Sequence, residues 1–516
     1  MGIHVISMYA ILAIIPLCWL PVLPDLHIVW LLIAAGIALS VQQRKWLRFS
    51  GLALLFMCWG ILAAQESVWP MIHLTKAPQQ AEVVITATDG ATMHQGRIIS
   101  LNGERVWAAM GVSLYGNYLP QNVCVGQRWA MTLRLRAVHG ELNDGGYDSQ
   151  KNAFARHQTL SGRFTHAEII DARCSLRSQY LTSLQNTLSA YQWGPVILGL
   201  GMGERLSVSR EIKNLMRETG TMHLMAISGL HIALAASAVW LLARGIQFFL
   251  PGRWIIWQVP LLAGLLFAAF YAWLTGLQPP ALRTVMALVV LAALKMSGRQ
   301  WSPWQVWLTC VAAILFFDPL AVLSQSLALS AFAVAALIFW YQWLPLPHWQ
   351  RGRCLRPLVT LLYLQVGMLL LLLPLQVLIF HGFSLSSLVA NLFAVPLVTF
   401  ISVPLILLGM FLHLFPVATL ESIVWLAADK SLAGLFWLLM RLPNGWQDVD
   451  ERWQCLTLLP WLLIIGWRFR AFSAVPAVCL AGSVVMAFPL WHRIKADSWS
   501  LLMLDVGEGL AMVFER

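Results

Sequence analysis

Long apolar runs, most of them near the length of a bilayer span, alternate along this chain with short polar connectors. Windows of about 20 apolar residues fall near 4–22, 27–40 and 50–65, and after a long gap near 222–243, 254–275, 281–296, 302–317, 326–344, 357–380, 384–414, 418–440, 453–467 and 472–490. Several are short or carry proline, so the pattern predicts about 10 to 13 spans. The run Leu385 to Leu414 is too long for one ordinary span and contains Pro396 and Pro404. A kinked or broken helix is expected there.

The gap has another rhythm. Segments such as "AEVVITATDG", "QGRIISLNGERVWAAM", "GQRWAMTLRLRAV" and "TLSGRFTHAEII" are short, β-branched and partly alternating, with Gly and Asn-Gly between them. Gln79 to Asp171 is long enough for five or six strands, which suits a small OB-like barrel or sandwich. Few aromatics lie on these strands, so a structural or positioning role competes with strand binding by base stacking. The following "SLRSQYLTSLQNTLSAYQWG" has helical spacing and is expected along a membrane surface. The fold class is therefore a mostly α polytopic membrane protein with an inserted small all-β OB-like periplasmic domain. Its parts are 1–65 N-terminal transmembrane helices, 66–175 β domain, 176–220 amphipathic connector, 221–491 transmembrane core and 492–516 the start of a further domain.

Composition agrees with the pattern. Of 516 residues, 59% are hydrophobic and 11% charged, with a mean hydropathy of +0.70. Soluble domains carry about a quarter charged residues, so that class is excluded. Several of the 26 tryptophans end apolar runs, where an amphipathic indole favours the headgroup layer.

Basic residues collect at Arg44, Lys45 and Arg48, at Arg244 and Arg253, at Lys295 and Arg299, at Arg351, Arg353 and Arg356, and at Arg468 and Arg470. With the spans above, all fall on one side, which should be cytoplasmic. The β domain, the "NGWQDVDE" loop and the C-terminal end then lie opposite, in a bacterium the periplasmic side of the inner membrane. The net charge of +11 is mostly this topology and is no evidence by itself for a nucleic-acid partner. The first run lacks a basic flank and a cleavage site, so it reads as a retained helix. Six of the eight cysteines lie in or beside membrane segments; Cys124 and Cys174 lie in the β domain, where an oxidising compartment favours a disulfide.

The stretch "HLMAISGLHIAL", His223 to Leu234, carries unusual polarity for an apolar run. Read as one helix at about 100° per residue, it puts His223, His231, Ser228 and Thr221 within about 160° of one another. No acidic residue of that helix orients the imidazole of His231 against Ser228, which argues against hydrolysis. Two readings stay open: these groups hydrogen-bond neighbouring helices while Gly229 permits close packing, or they line a polar path. Before them, Glu204, Arg205, Arg210, Glu211, Arg217 and Glu218 form a charged segment. Its Gly-rich start has no Gly-Lys-Ser/Thr ending and so is a weak phosphate-loop signal. Arg283 sits in the first turn of a span, where snorkelling is the ordinary explanation. Asp318 and Asn391 are lone polar groups at or within the membrane. No catalytic set, metal motif or cofactor motif emerges.

"MRETGTMHLMAISGLHIAL" resembles the signature of the ComEC family of DNA-uptake (competence) channel proteins, "FRRTGLAHLLAISGLHVGL". The resemblance continues in order through "GERLSVSREI", "GLQPPALRTVMALVVLAAL", "DPLAVLSQSLALSAFAV" and "LVANLFAVPLVTFISVPL". "LRLRAVHGELNDGGYDSQKNAFARHQTLSGRF" is similar to the end of the family's OB domain, and "LLMLDVGEGLAMV" to the opening strand of the metallo-β-lactamase-like domain that commonly follows, "LDVGQGDAV". Here Glu508 and Leu510 replace the Gln and Asp of that pattern, and the sequence stops at Arg516 before any metal motif. The resemblance thus assigns no nuclease, metal site or other catalysis to this polypeptide.

What it implies is an inner-membrane channel for single-stranded DNA, with strand passage between broken helices around 222–243 and 384–414. The residues expected to line the path are Glu204, Arg205, Arg217, His223, Ser228, Gly229, His231, Arg283 and Asn391. The implied partners are single-stranded DNA, membrane lipid, a periplasmic DNA receptor and a cytoplasmic helicase or ATPase, since no ATP-binding motif is present. The alternative is a secondary transporter of a small anionic solute built on the same broken helices.

Overall fold

A computed structural model of the chain describes all residues except 1, 21, 89–91, 117–118, 120–122, 141–142, 144–147, 253–254, 345–355, 469–482, 484–499, 507–510 and 516. The span expected near 472–490, together with Arg253, Arg351, Arg353, Arg470, Glu508 and Leu510, lies outside the described residues. Among the described residues, seven helices are long and apolar enough to cross a membrane, and five shorter apolar helices accompany them. The protein is a polytopic membrane protein with a β domain. It divides into two compact units: Met1–Ser183 with Val289–Ala328, and Leu184–Leu288 with Leu329–Arg516.

The first unit opens with α1 (Ile3–Ile14), α2 (Leu26–Ser40) and the long α3 (Lys45–His73). Pro16 tightens the end of α1 into a 3₁₀ turn, Ile15–Cys18. Helix α3 runs on past its apolar stretch, and Leu74 at its C-cap enters the core of the barrel, with Met71 packed against it. The barrel strands are β1 (Gln79–Thr88), β2 (Met93–Leu101), β3 (Glu104–Tyr115), β4 (Arg128–Ala137) and β5 (Leu160–Asp171), closed in the order β1-β2-β3-β5-β4. Alternation decides the inside: Val83, Ile85, Ile98, Leu114, Trp129, Leu133 and Leu160 are fully buried. Each such side chain contributes about 1.5–3 kcal/mol of burial free energy, which drives closure. The β2–β3 hairpin turns on Asn102 (φ 51°) and Gly103 (φ 88°), the Asn-Gly pair whose left-handed backbone suits a two-residue turn. A disulfide joins Cys124 to Cys174, with Cα atoms 5.6 Å apart. It fastens the β3–β4 connection to the segment after β5, beside the Ser175 N–H that donates to the Val125 carbonyl at 2.8 Å.

Between β4 and β5 lies the short α4 (Ser149–Ala155), capped by the Asp148 carboxylate. Just beyond it, His157 Nε2 meets Asp318 Oδ1 at 3.1 Å. Asp318 is the C-cap of α12 (Pro303–Phe317), and its carboxylate also accepts the Ala321 N–H. The lone Asp318 of the sequence is thus a cap and an ion-pair partner within this unit.

The remaining helices are α5 (Leu176–Leu188), α6 (Gly194–Met202), α7 (Arg210–Glu218), α8 (Met222–Met225), α9 (Gly229–Phe248), α10 (Gln258–Leu274), α11 (Pro279–Met296), α13 (Gln325–Trp343), α14 (Arg356–Phe380), α15 (Ser387–Leu397), α16 (Val403–Leu412), α17 (Ala418–Leu439) and α18 (Leu459–Arg468). In the second unit, α9 and α10 cross closely where Gly264 lies under the Ala236 carbonyl. The ribbon of β6 (Gly382–Ser384) and β7 (Trp446–Asp448) ties the end of α14 to the segment after α17. A hairpin of β8 (Ser500–Leu504) and β9 (Ala511–Glu515) closes the chain.

The 384–414 run is one helix interrupted by a π turn, Val398–Ser402, between α15 and α16. Pro404 has no N–H to give the Phe400 carbonyl, and the ladder re-forms with wider spacing. The kink expected from Pro396 and Pro404 takes this form.

Candidate functional site

Polar groups in the second unit gather where helices stop short. Helix α6 has nine residues, all but Pro195 buried, too few to span a bilayer. Its start is held by Asp429 of α17, 6% exposed, whose Oδ1 accepts the Trp193 N–H at 2.8 Å. This carboxylate satisfies one of the orphan donors of a helix N-terminus and lies at its positive end. Trp193 stacks on Phe436 with ring centroids 4.2 Å apart. At the other end, the Tyr271 hydroxyl donates to the Gly201 carbonyl at 3.2 Å, and Gly203 ends the helix with φ 78°. Glycine is required at 203 for that left-handed backbone and because a Cβ would press on Ile227 and the Thr275 carbonyl.

Ile227 belongs to a second break. The stretch read from sequence as one helix consists of α8, an extended segment at Ala226 and Ser228, and α9. The single-helix wheel is therefore corrected: His223 and His231 lie on different helices. The cause is local. Ser228 has extended backbone, and its hydroxyl accepts the His231 N–H at 3.3 Å, an N-cap that starts a new helix at Gly229. The end of α6 and the start of α9 thus meet through Gly203 and Ile227.

The expected lining residues take distinct places around these breaks. His223 is exposed, with Nδ1 3.2 Å from the Gly220 carbonyl. Ser228 is half-buried and acts as a cap. Gly229 lies against α11, where a Cβ would come 2.6 Å from Thr284 Oγ1, so it serves close packing. His231 is 1% exposed and its Nδ1 has no hydrogen-bond partner, so it stands behind the break rather than on its surface. Arg283, next to Thr284, is half-buried with Nε on the Pro279 carbonyl at 3.1 Å. Glu204 and Arg205 follow Gly203, half-buried; Glu204 Oε1 accepts the Leu206 N–H.

Arg217 is exposed on α7, its guanidinium 5.8 Å from the Trp446 ring centroid. The corner after α7, Gly220 with φ 67°, abuts Ser387 at the start of α15, and Ser384 Oγ donates to the Glu218 carbonyl at 2.6 Å. Asn391, one turn beyond Ser387, is buried with Oδ1 unpartnered. The structure thus brings the Gly203, Ser228 and Gly229 breaks together and sets the Gly220 corner on the α15 helix that carries Asn391. The polar groups can offer donors and a cationic edge; among the described residues, no group of three or more His, Cys, Asp or Glu side chains is arranged to hold a metal ion.

Sequence reasoning missed Asp429, the half-buried Ser402–Ser431 hydroxyl pair at the π turn, and the His413–Glu421 pair at 2.7 Å, whose carboxylate also accepts the Trp425 Nε1–H. The available signal was "LAADKSL", charge in the middle of an apolar span.

Residues 200–489, which hold these breaks, match the family described as Competence protein. The chain is 56% identical over 516 residues to the uncharacterized protein YcaI of Escherichia coli, covering 100% of this chain and 68% of that protein. It is 31% identical to Recombination protein 2 of Haemophilus influenzae, over 93% of this chain and 63% of that one. It is 30% identical to Competence protein ComA of Neisseria gonorrhoeae, over 80% and 62%. The chain spans about two thirds of the length of these relatives. No solved structure matches it.

Proposed function

Because this chain belongs to the Competence protein family, we propose that it acts in DNA uptake and forms the membrane passage for single-stranded DNA. The observation that carries this reading is the coincidence of the family match with the interrupted helices: the α6 end and the α8–α9 break, together with the π turn inside the continuous α15–α16 helix, all fall within residues 200–489. Helix breaks at membrane depth are tolerated where the freed backbone is covered by protein or faces water, and such breaks build the substrate sites of many transporters. A polyanion crossing there needs donors and positive charge in place of its hydration. His223, Ser228 and the N-terminus of α9 supply donors on this reading. Arg205, Arg217 and Arg283 supply charge, and His231 and Asn391 support the wall from behind.

The protein sits in the bacterial inner membrane with the barrel on the periplasmic face, where a DNA receptor hands over substrate. A cytoplasmic helicase or ATPase pulls the emerging strand. The relative in Neisseria gonorrhoeae is named as a competence protein, which supports a part in DNA uptake.

Cysteine accessibility tests the path. In a variant without its free cysteines, Ser228→Cys and His223→Cys should react with a charged, membrane-impermeant thiol reagent and be shielded by a bound oligonucleotide, whereas Leu230→Cys, on the exposed apolar side of α9, should stay unreactive in membranes. Unreactive cysteines at both 223 and 228 in an active protein would remove the passage from this position.

A further inference from the structure

The outer face of the barrel carries a charge arrangement that its own fold does not neutralise. Arg134 and Arg136 project outward from β4 and Arg163 from β5, all exposed. Arg134 stands directly opposite Arg163 in the antiparallel register. Side chains so placed are about 4.5–5.5 Å apart at Cβ, and like charges there destabilise a sheet. Among the described residues, no carboxylate pairs with any of the three. Nearby Glu168 is taken by His166, and Asp171 by Arg173.

Their position says what they face. Leu133, beside Arg134, is opposite Gln79, the first residue of β1 and only six residues beyond the end of α3 at His73. Exposed Lys76 lies in that link. The last turns of α3 present Trp69 and Ile72 outward, and α12 ends in the exposed Phe316 and Phe317 just before Asp318, the partner of His157. The indole of Trp69 is the amphipathic ring among them, and such rings at the end of an apolar helix favour the headgroup layer. The arginines therefore lie at the end of the barrel that adjoins the ends of α3 and α12.

We propose that Arg134, Arg136 and Arg163, with Lys76, form a phosphate-binding rim that seats the barrel on anionic phospholipid headgroups. Guanidinium groups match phosphate oxygens in a two-pronged geometry. Bound headgroups supply the countercharge that lets Arg134 and Arg163 stand side by side. Nucleic acid is the less suitable occupant: Phe164 is packed against the barrel core and the nearby His166 ring is paired with Glu168, so among the described residues base stacking beside the arginines is left to the exposed Tyr115 and His139, fewer rings than a stacking platform for successive bases uses.

The test uses the whole protein in nanodiscs of phosphatidylcholine alone or mixed with phosphatidylglycerol, read by hydrogen exchange across 128–137 and 160–171. Phosphatidylglycerol should slow exchange in these strands at least about fivefold, the effect of one basic residue at an anionic surface. Arg134→Gln with Arg163→Gln should abolish the difference while β1 and β2 keep their protection. Should the double variant lose the barrel, loss of the wild-type protection on raising salt answers the same question. Equal exchange in both discs would overturn the proposal, as would protection by an oligodeoxythymidine in phosphatidylcholine discs without protection by phosphatidylglycerol.

Discussion

Removing the Cys124–Cys174 crosslink should loosen the barrel by a calculable amount. The bridge closes a loop of 50 residues. On the chain-entropy model this withholds about 14 cal/mol/K from the unfolded chain, or about 4 kcal/mol at 25 °C. Cys124→Ser with Cys174→Ser should therefore raise the opening equilibrium of the barrel about a thousandfold, at about 1.4 kcal/mol per decade. Hydrogen exchange of the intact protein reports this directly, because the ladder amides of β1, β2 and β4 flank a core that opens as a unit. Val83, Ile98 and Leu133, buried in that core, are suitable probes. Reduction of the wild type should reproduce the double variant. Acceleration below about tenfold in both cases would show that the unfolded chain is already confined by the membrane anchors at its ends and would refute the entropic reasoning.

Asp429→Ala should cost about 1.5–3 kcal/mol in a thermal unfolding assay, since it strips a charged acceptor from the buried Trp193 N–H; Asp429→Asn, which keeps an acceptor oxygen, should recover part of it. Gly220→Ala should destabilise the unit by about 1 kcal/mol or more, because the left-handed backbone strains a side chain and its Cβ meets Ser387; wild-type stability would exclude that packing. The hydrogen bond that the His157 ring donates to the Asp318 carboxylate, aided by that group's charge, raises the His157 pKa above its ordinary value. The pair's stabilisation is thus full below about pH 6.5 and fades as pH rises through the raised folded value. Both side chains are partly exposed, so it amounts to at most about 1 kcal/mol. Titration of His157 by NMR should show the rise and its loss in Asp318→Asn.

The barrel was legible because its strands alternate: the odd positions from Trp129 to Leu135 are apolar and buried, and the even ones face outward. The apolar runs marked most helices for the same reason, since length and hydropathy are local properties. The break at Ala226 to Ser228 was hidden, because "MAISGL" keeps the hydropathy of a span while Ser228 and Gly229 spell an N-cap and a first turn. Helix α6 shows no period that separates buried from exposed, and its burial depends on Met410 and Ile406, about 200 residues away in sequence. Asp429 was overlooked for a related reason: its partner is the backbone of Trp193, which no side-chain pattern announces.

Passage of DNA itself is tested most directly in a transformable host whose own competence channel has been replaced by this protein. Radiolabelled double-stranded DNA is supplied, and the label is separated into nuclease-protected periplasmic and cytoplasmic fractions. With the protein present, label should appear in the cytoplasm as single strands, and in cells without it the label should accumulate outside the inner membrane. Equal cytoplasmic label with and without the protein would contradict a role as the strand's passage.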